Sequence, residues 1–166
     1  MISIIAAVSA NGVLGFQGKI PWKIKEDFAF FKKMTLNTCV IMGRATFESM
    51  GSKPLKDRVN IVVSSKLAEG PGYTVVSTLD EALARAKDLG LDVFLIGGSS
   101  IYQQGLEIAD RVYITDVNVV VEGDAFFPYL STNLWRKVWE SDTSKNDSGV
   151  SFKFNGYERV GSYEKD

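Results

Sequence analysis

Short apolar runs recur along this chain, and each ends in a turn. Residues 2–9 are continuously apolar apart from serine and stop at Asn11-Gly12. Residues 38–42 lead straight into Gly43-Arg44-Ala45-Thr46, residues 59–63 into Ser64-Ser65, and residues 93–96 into Gly97-Gly98-Ser99-Ser100. Runs without polar alternation suit strands covered on both faces. Helical patterns separate them: residues 24–34, a short one to Met50, one opening at Thr78-Leu79-Asp80-Glu81 and stopped by Gly90, and one beginning Ile101-Tyr102. Residues 73–76 and 111–118 read as further strands. Residues 135–141 and 150–159 alternate as a closing antiparallel pair around the turn Asn146-Asp147-Ser148-Gly149. This order predicts an α/β domain whose central sheet is mostly parallel, with about eight strands and about four helices on its two faces. In such a sheet ligands bind across the carboxyl ends of the strands.

A chain of 166 residues, 45% hydrophobic and 23% charged, is large enough for one domain with its own core. A net charge of −1 without a basic run argues against nucleic acid as a partner. No apolar run approaches the length of a membrane span, and residues 1–8 lack a basic leader and read as a strand. Cys39 is the only cysteine and sits in an apolar run, which fits a core thiol and a cytoplasmic location. The chain has no histidine, so no His triad or His metal site is available, and no metal is expected. Acid–base work falls to carboxylates, tyrosine, lysine or water. No repeat or linker divides the chain, so residues 1–160 are expected to form the domain and residues 161–166 a frayed tail.

On a helical wheel Ile24, Phe28, Phe31 and Met34 share a face, and Asp27 falls within it. A carboxylate among apolar groups is costly unless something holds it. One reading is a first-turn acid facing the helix dipole at a wet edge. The other is a carboxylate on the floor of an aromatic-lined pocket, where it meets a flat ligand with two N–H donors and where burial raises its pKa. Before this helix, Gly12, Gly15 and Gly18 punctuate a stretch ending at Trp22, which reads as a lid or as a surface loop; Leu14, Phe16, Ile20 and Trp22 favour the lid.

The turns after residues 42, 63 and 96 all fall at strand ends. Gly43 before a helix start is a ready anion site, with Arg44 as a fork, although Thr46 also suits a plain helix cap. Ser64-Ser65 suits a phosphate or simple turn chemistry. Gly97-Gly98 lets a phosphate or ring approach the backbone. Three such turns on one edge point to a dinucleotide, although the G-x-G-x-x-G fingerprint is absent.

The motifs I-S-I-I-A-A-V, G-V-L-G followed by I-P-W, D-F-A-F-F-K, V-I-M-G-R-A-T-F-E-S-M, N-I-V-V-S-S, F-L-I-G-G-S-S-I-Y, Y-I-T and E-G-D-A-F-F-P, in this order, resemble the dihydrofolate reductase family from Met1 to about Val160. The resemblance implies that NADPH gives hydride to C6 of 7,8-dihydrofolate while N5 gains a proton, from a water and not by direct transfer from Asp27. It implies a catalytic set of Asp27, Thr115 bonded to that carboxylate, and Trp22 holding a water. Ile5, Ala6, Ala7, Phe28, Phe31, Lys32, Met50, Leu55, Ile96 and Tyr102 would line the substrate site, and Arg58 would clamp the glutamate α-carboxylate. Arg44, Ser64 and Ser65 would surround the 2′-phosphate of NADPH. Ala7, Gly43, Ala45, Thr46, Ile96, Gly97, Gly98, Ser99, Ser100, Ile101, Tyr102 and Gln104 would meet the rest of the cofactor, with a cis peptide at Gly97-Gly98. Leu14, Gly15, Gly18 and Ile20 would belong to a lid steadied by Asp124. Antifolate inhibitors are expected ligands, and the protein is expected to be a monomer.

Ala45 and Ser100 stand where many bacterial relatives carry basic or imidazole groups, which predicts weaker NADPH binding with a shallower salt dependence. Ile20 and the bulky Phe28 bear on lid rates and antifolate sensitivity. Two rivals stay open at this point: the related pyrimidine reductase of riboflavin biosynthesis, and a non-catalytic NADPH-binding module.

Overall fold

The apolar runs lie side by side, but not in chain order. The structure, a computed structural model, describes residues 1–15 and 22–161. Its elements are β1 (Ile2–Ser9), β2 (Val13–Gly15), α1 (Lys25–Thr35), β3 (Cys39–Gly43), α2 (Arg44–Ser49), β4 (Val59–Val63), β5 (Tyr73–Val76), α3 (Leu79–Asp88), β6 (Val93–Leu95), α4 (Ser99–Gly105), β7 (Arg111–Val117), β8 (Ala125–Phe126), β9 (Trp135–Glu140), β10 (Ser144–Lys145) and β11 (Ser151–Arg159). Nine of these strands form one sheet in the order β10-β11-β7-β1-β6-β3-β4-β5, with β9 also on β11. From β7 to β5 every pairing is parallel, and β11 runs antiparallel to β7, β9 and β10. The expected α/β architecture is present, parallel through the centre and antiparallel where the C-terminal strands close the sheet.

Successive residues of the central strands alternate between two apolar layers. Ile4, Cys39, Ile41 and Leu95 pack with Leu79, Ala82 and Ala86 of α3 and Ile101 and Tyr102 of α4. Ile5, Val40 and Met42 pack on the other side with Phe47 of α2 and with Phe30, Phe31 and Met34 of α1. Covering on both faces is why β1 and β3 show no polar alternation. Each fully buried branched side chain contributes about 1.5–3 kcal/mol, so a polar residue at Ile41 would breach the layer at its centre. Around the α1 start, Ile24, Val117 and Phe152 form a third cluster with Trp22 and Phe154 against it.

The ends of α3 follow the sequence signals. Thr78 accepts a hydrogen bond from the Glu81 amide at 3.1 Å, and Gly90 takes φ 69° just past the last turn. Other boundaries differ from expectation. Ile24 is not on the α1 face but is its extended N-cap, buried in the third cluster. α4 begins at Ser99, two residues before Ile101, because Gly98 serves as its N-cap. The 146–149 turn joins β10 to β11, not β9 to β11: Asn146 Oδ1 accepts from the amides of Ser148 and Val150. Val13–Gly15, within the stretch read as a lid or loop, is a strand that pairs with β8 across an irregular register. Among the described residues no helix is long and apolar enough to cross a membrane.

Candidate active site

Asp27 stands in the first turn of α1, beside Glu26, with its amide donating to the Ile24 carbonyl at 3.1 Å. Thr115 lies in β7, 2% exposed, on the face opposite to its exposed neighbour Asp116. The Thr115 hydroxyl donates to Asp27 Oδ1 at 2.7 Å. Burial raises the Asp27 pKa, and the Thr115 bond opposes that rise. Both readings of Asp27 therefore describe the same residue: it is a first-turn acid, yet desolvation outweighs whatever the helix start supplies. Tyr102 of α4 is its near neighbour. The phenol is buried, donates to the Ile5 carbonyl at 2.8 Å, and is held neutral by burial and then by the Asp27 charge, well above the usual phenol range.

Most of the residues expected to line the substrate site are buried or half-buried. Ile5 and Ile96 are buried, and Phe31, Met50 and Leu55 pack against the same cluster. Ala6 is buried, and Ala7 packs with Trp22 on the cluster around Ile24. Phe28, one residue on from Asp27, is 50% exposed on the α1 surface. Lys32 is exposed as well.

Arg58 emerges from the loop between α2 and β4. Its Nη1 donates to Thr35 Oγ1 at 3.0 Å and its Nε to the Lys56 carbonyl at 2.9 Å. Thr35, fully buried at the end of α1, donates in turn to the Phe31 carbonyl. The loop itself is braced by Asn60. This buried amide accepts from the Leu55 amide at 2.8 Å and donates to the carbonyls of Leu55 and Arg58 at 2.9 and 3.0 Å. Neither Thr35 nor Asn60 was singled out in the sequence; a polar residue inside the 59–63 apolar run was the available signal for Asn60.

The ends of β3 and β6 meet at glycines. The Gly43 amide donates to the Gly97 carbonyl at 2.8 Å, and the Gly97-Gly98 peptide is cis. Gly97 has φ 123°, and a Cβ there would lie 3.2 Å from the Tyr102 hydroxyl and 3.3 Å from Thr46 Oγ1. A Cβ on Gly98 would lie 3.6 Å from Thr46 Oγ1. Thr46 is thus not a helix cap, since Gly43 holds that position without a side-chain bond; its hydroxyl instead faces the glycine strip. This strip of bare backbone, bounded by one hydroxyl and by Ile101 beside Gly43, fits the passage of a dinucleotide.

The rim beyond it is exposed. Arg44 Nε pairs with Glu48 at 3.0 Å, one turn along α2. Ser64 Oγ accepts from the amides of Lys66 and Leu67, so turn chemistry occupies it, while Ser65 is exposed. Ala45 and Ser100 are exposed, Ser99 is half-buried, and Gln104 donates to Ser100 at 3.0 Å. Leu14 and Gly15 lie in β2, next to β8, which Asp124 precedes. Gly18 and Ile20 lie outside the described residues.

These features can be set beside known proteins. Residues 1–159 match the family model described as dihydrofolate reductase. The chain is 41% identical to the dihydrofolate reductase of Neisseria gonorrhoeae over 157 residues, 94% of this chain and 96% of that one. It is 38% identical to the Bacillus subtilis (strain 168) enzyme of that name over 164 residues, 98% and 96% of the two chains. Dihydrofolate reductase from Enterococcus faecalis, solved in complex with NADP(H) and RAB-propyl, superimposes with a TM-score of 0.89 at 32% identity, covering 97% of each chain. A carboxylate under an apolar wall, a glycine strip at the strand ends and this likeness along nearly the whole length agree: the chain belongs to the dihydrofolate reductase family.

Proposed function

We propose that the cleft between α1 and the carboxyl ends of β1, β6 and β7 takes 7,8-dihydrofolate, and that residues 43–46 and 97–101 take NADPH, so that the chain produces 5,6,7,8-tetrahydrofolate. NADPH supplies a hydride to C6 when bound. Asp27 orients the substrate by accepting from the ring N3–H and the 2-amino group. The Thr115 hydroxyl, donating to Oδ1, fixes the carboxylate's angle and leaves its other lone pairs for those donors. With both oxygens engaged far from N5, the N5 proton comes from a water beside Trp22, and Asp27 shapes the field that favours it.

The apolar side chains Ile5, Phe31, Met50 and Ile96 exclude solvent from the ring, which strengthens the carboxylate's bonds. Arg58, anchored by Thr35 and the Lys56 carbonyl, keeps Nη2 and a second Nη1 hydrogen for the glutamate α-carboxylate. Arg44 and Ser65 meet the 2′-phosphate, which favours NADPH over NADH. Antifolates would occupy the same cleft. We read the protein as a cytoplasmic monomer; a buried, unpaired Cys39 supports a reducing compartment, and sedimentation tests the monomer.

The observation that carries this reading is the 2.7 Å bond from Thr115 to the half-buried Asp27, 88 residues away in the chain. The test is NADPH oxidation with dihydrofolate across pH for the native protein and Asp27→Asn. We expect the variant to lose roughly a hundredfold or more near neutrality, with partial recovery in acid. NADPH binding without turnover in the native protein would overturn the reading.

A further inference from the structure

We infer that Asn155, on the sheet face turned away from the cleft, is a positioning residue for the Asp27–Thr115 pair, its amide gripping β7 on both sides of Thr115. Asn155 lies in β11 and is 0% exposed. Its Nδ2 donates to the Ile114 carbonyl at 3.1 Å and to Asp116 Oδ2 at 2.9 Å. These acceptors belong to the residues directly before and after Thr115. Its Oδ1 is buried and meets no donor among the described residues.

A buried acceptor without a partner costs folding free energy, and a leucine would fill much the same space without one. The reverse amide orientation is worse, since Oδ1 would then face the Ile114 carbonyl and the Asp116 carboxylate. What Asn155 offers at this position is its two N–H donors, and both act on β7 at Thr115. The adjoining contacts agree. Phe154 stands opposite Thr115 in the strand register and stacks on Phe30 of α1 at 4.3 Å, three residues beyond Asp27. The pairing of β11 with β9 slips between Gly156 and Tyr157, immediately after Asn155, so the amide braces β11 where the outer ladder is irregular. One strand therefore locates both partners, the helix through Phe154 and β7 through Asn155.

The charged groups around the grip are Asp116, Lys153 opposite it in register, and Glu140, which binds Lys153 at 2.7 Å and Lys137 at 3.2 Å; Tyr157 lies near them. Facing Asp27 are the Thr115 hydroxyl from β7 and the Tyr102 phenol from α4, and among the described residues no ion pair includes Asp27.

The inference rests on the proposed role of Asp27, and its test separates the two. Single-turnover NADPH oxidation with dihydrofolate is followed across pH for Asn155→Leu, Thr115→Val, their double variant, Asp116→Asn and Asp27→Asn. Loosening the Thr115 bond removes a donor that favours the carboxylate, so the midpoint in Asn155→Leu is expected to move to higher pH. KM for dihydrofolate should rise severalfold while the dissociation constant of NADPH stays native. The double variant should shift no further than Thr115→Val alone, as coupled sites do. A native midpoint and KM in Asn155→Leu overturns the inference, as do additive shifts in the double variant. An equal shift in Asp116→Asn, which keeps an acceptor and drops the charge, also overturns it. If Asn155→Leu does not fold, Asn155→Ser, too short for either contact, carries the same expectation and the same overturning result. If Asp27→Asn leaves the profile unchanged, the role of Asp27 fails; if only Asn155→Leu leaves it unchanged, the grip alone fails.

Discussion

The two arginines proposed to meet anions stand in opposite states of readiness. Arg58 is held in place by Thr35 and the Lys56 carbonyl, and burial draws its pKa below the usual guanidinium range, with Asp57 opposing. Arg44 is half-exposed and already paired with Glu48. An anion reaching Arg58 finds a fork that is aimed; one reaching Arg44 must first displace a carboxylate. The same contrast separates the two halves of the cleft. On the proposed substrate side, Asp27 and Arg58 are held by the buried hydroxyls of Thr115 and Thr35. On the proposed cofactor side, the glycine backbone is fixed and Arg44 stands exposed in a surface ion pair. Preorganised groups contribute more affinity per contact because less freedom is lost on binding.

The sharpest way to break this contrast is Arg58→Leu. KM for dihydrofolate should rise about 10- to 100-fold, the worth of a charge-assisted bidentate contact, with kcat little changed. A pterin substrate without the glutamate should be turned over equally by both proteins; a difference there would remove Arg58 from the carboxylate. Next comes Gly97→Ala, which probes the fixed backbone of the other half. With φ 123° and contacts at 3.2–3.3 Å waiting for a Cβ, it should cost about 1–3 kcal/mol in thermal unfolding and weaken NADPH in a binding titration.

A third effect concerns stability alone. Because the folded pKa of Asp27 is raised above 3.8, the unfolded chain releases this proton at lower pH than the folded one. Stability therefore falls as pH rises from about 3.8 through the folded value, and the deficit persists above it. Asp27→Asn should melt above the native protein at neutral pH and match it below that window; a lower melting point at neutrality would refute the assignment of burial as the dominant cause. The smallest effect is Glu48→Gln. An exposed ion pair is worth about 0–1 kcal/mol, so stability should hardly move. Releasing Arg44 should tighten NADPH by up to about fivefold and steepen its salt dependence; an unchanged slope would place Arg44 away from the phosphate.

The framework was legible wherever burial dictates residue type. The 2–9, 38–42, 59–63 and 93–96 runs read as strands because both faces are covered, and Thr78-to-Glu81 read as a cap because its chemistry is local. β2, β8 and β10 escaped notice, since strands of two or three residues carry no measurable period. The site divides likewise. Asp27 stood out as an acid on an apolar face, but its bond to Thr115 spans 88 residues and no spacing encodes it; the family motifs supplied the partner. Ile24 misled because a wheel assigns a face without saying where the helix begins. Thr35, Asn60 and Asn155 passed unnoticed because a small polar residue reads the same whether it braces a loop or lies in solvent.

The place of β1 in the middle of the sheet has a consequence for synthesis. Its parallel neighbours begin at Val93 and Arg111. At roughly 5–20 residues per second, a ribosome takes several seconds or more to deliver them. Through that interval an apolar strand with both edges open is held out of its final place, so the chain is most vulnerable to misassembly while it is only half made.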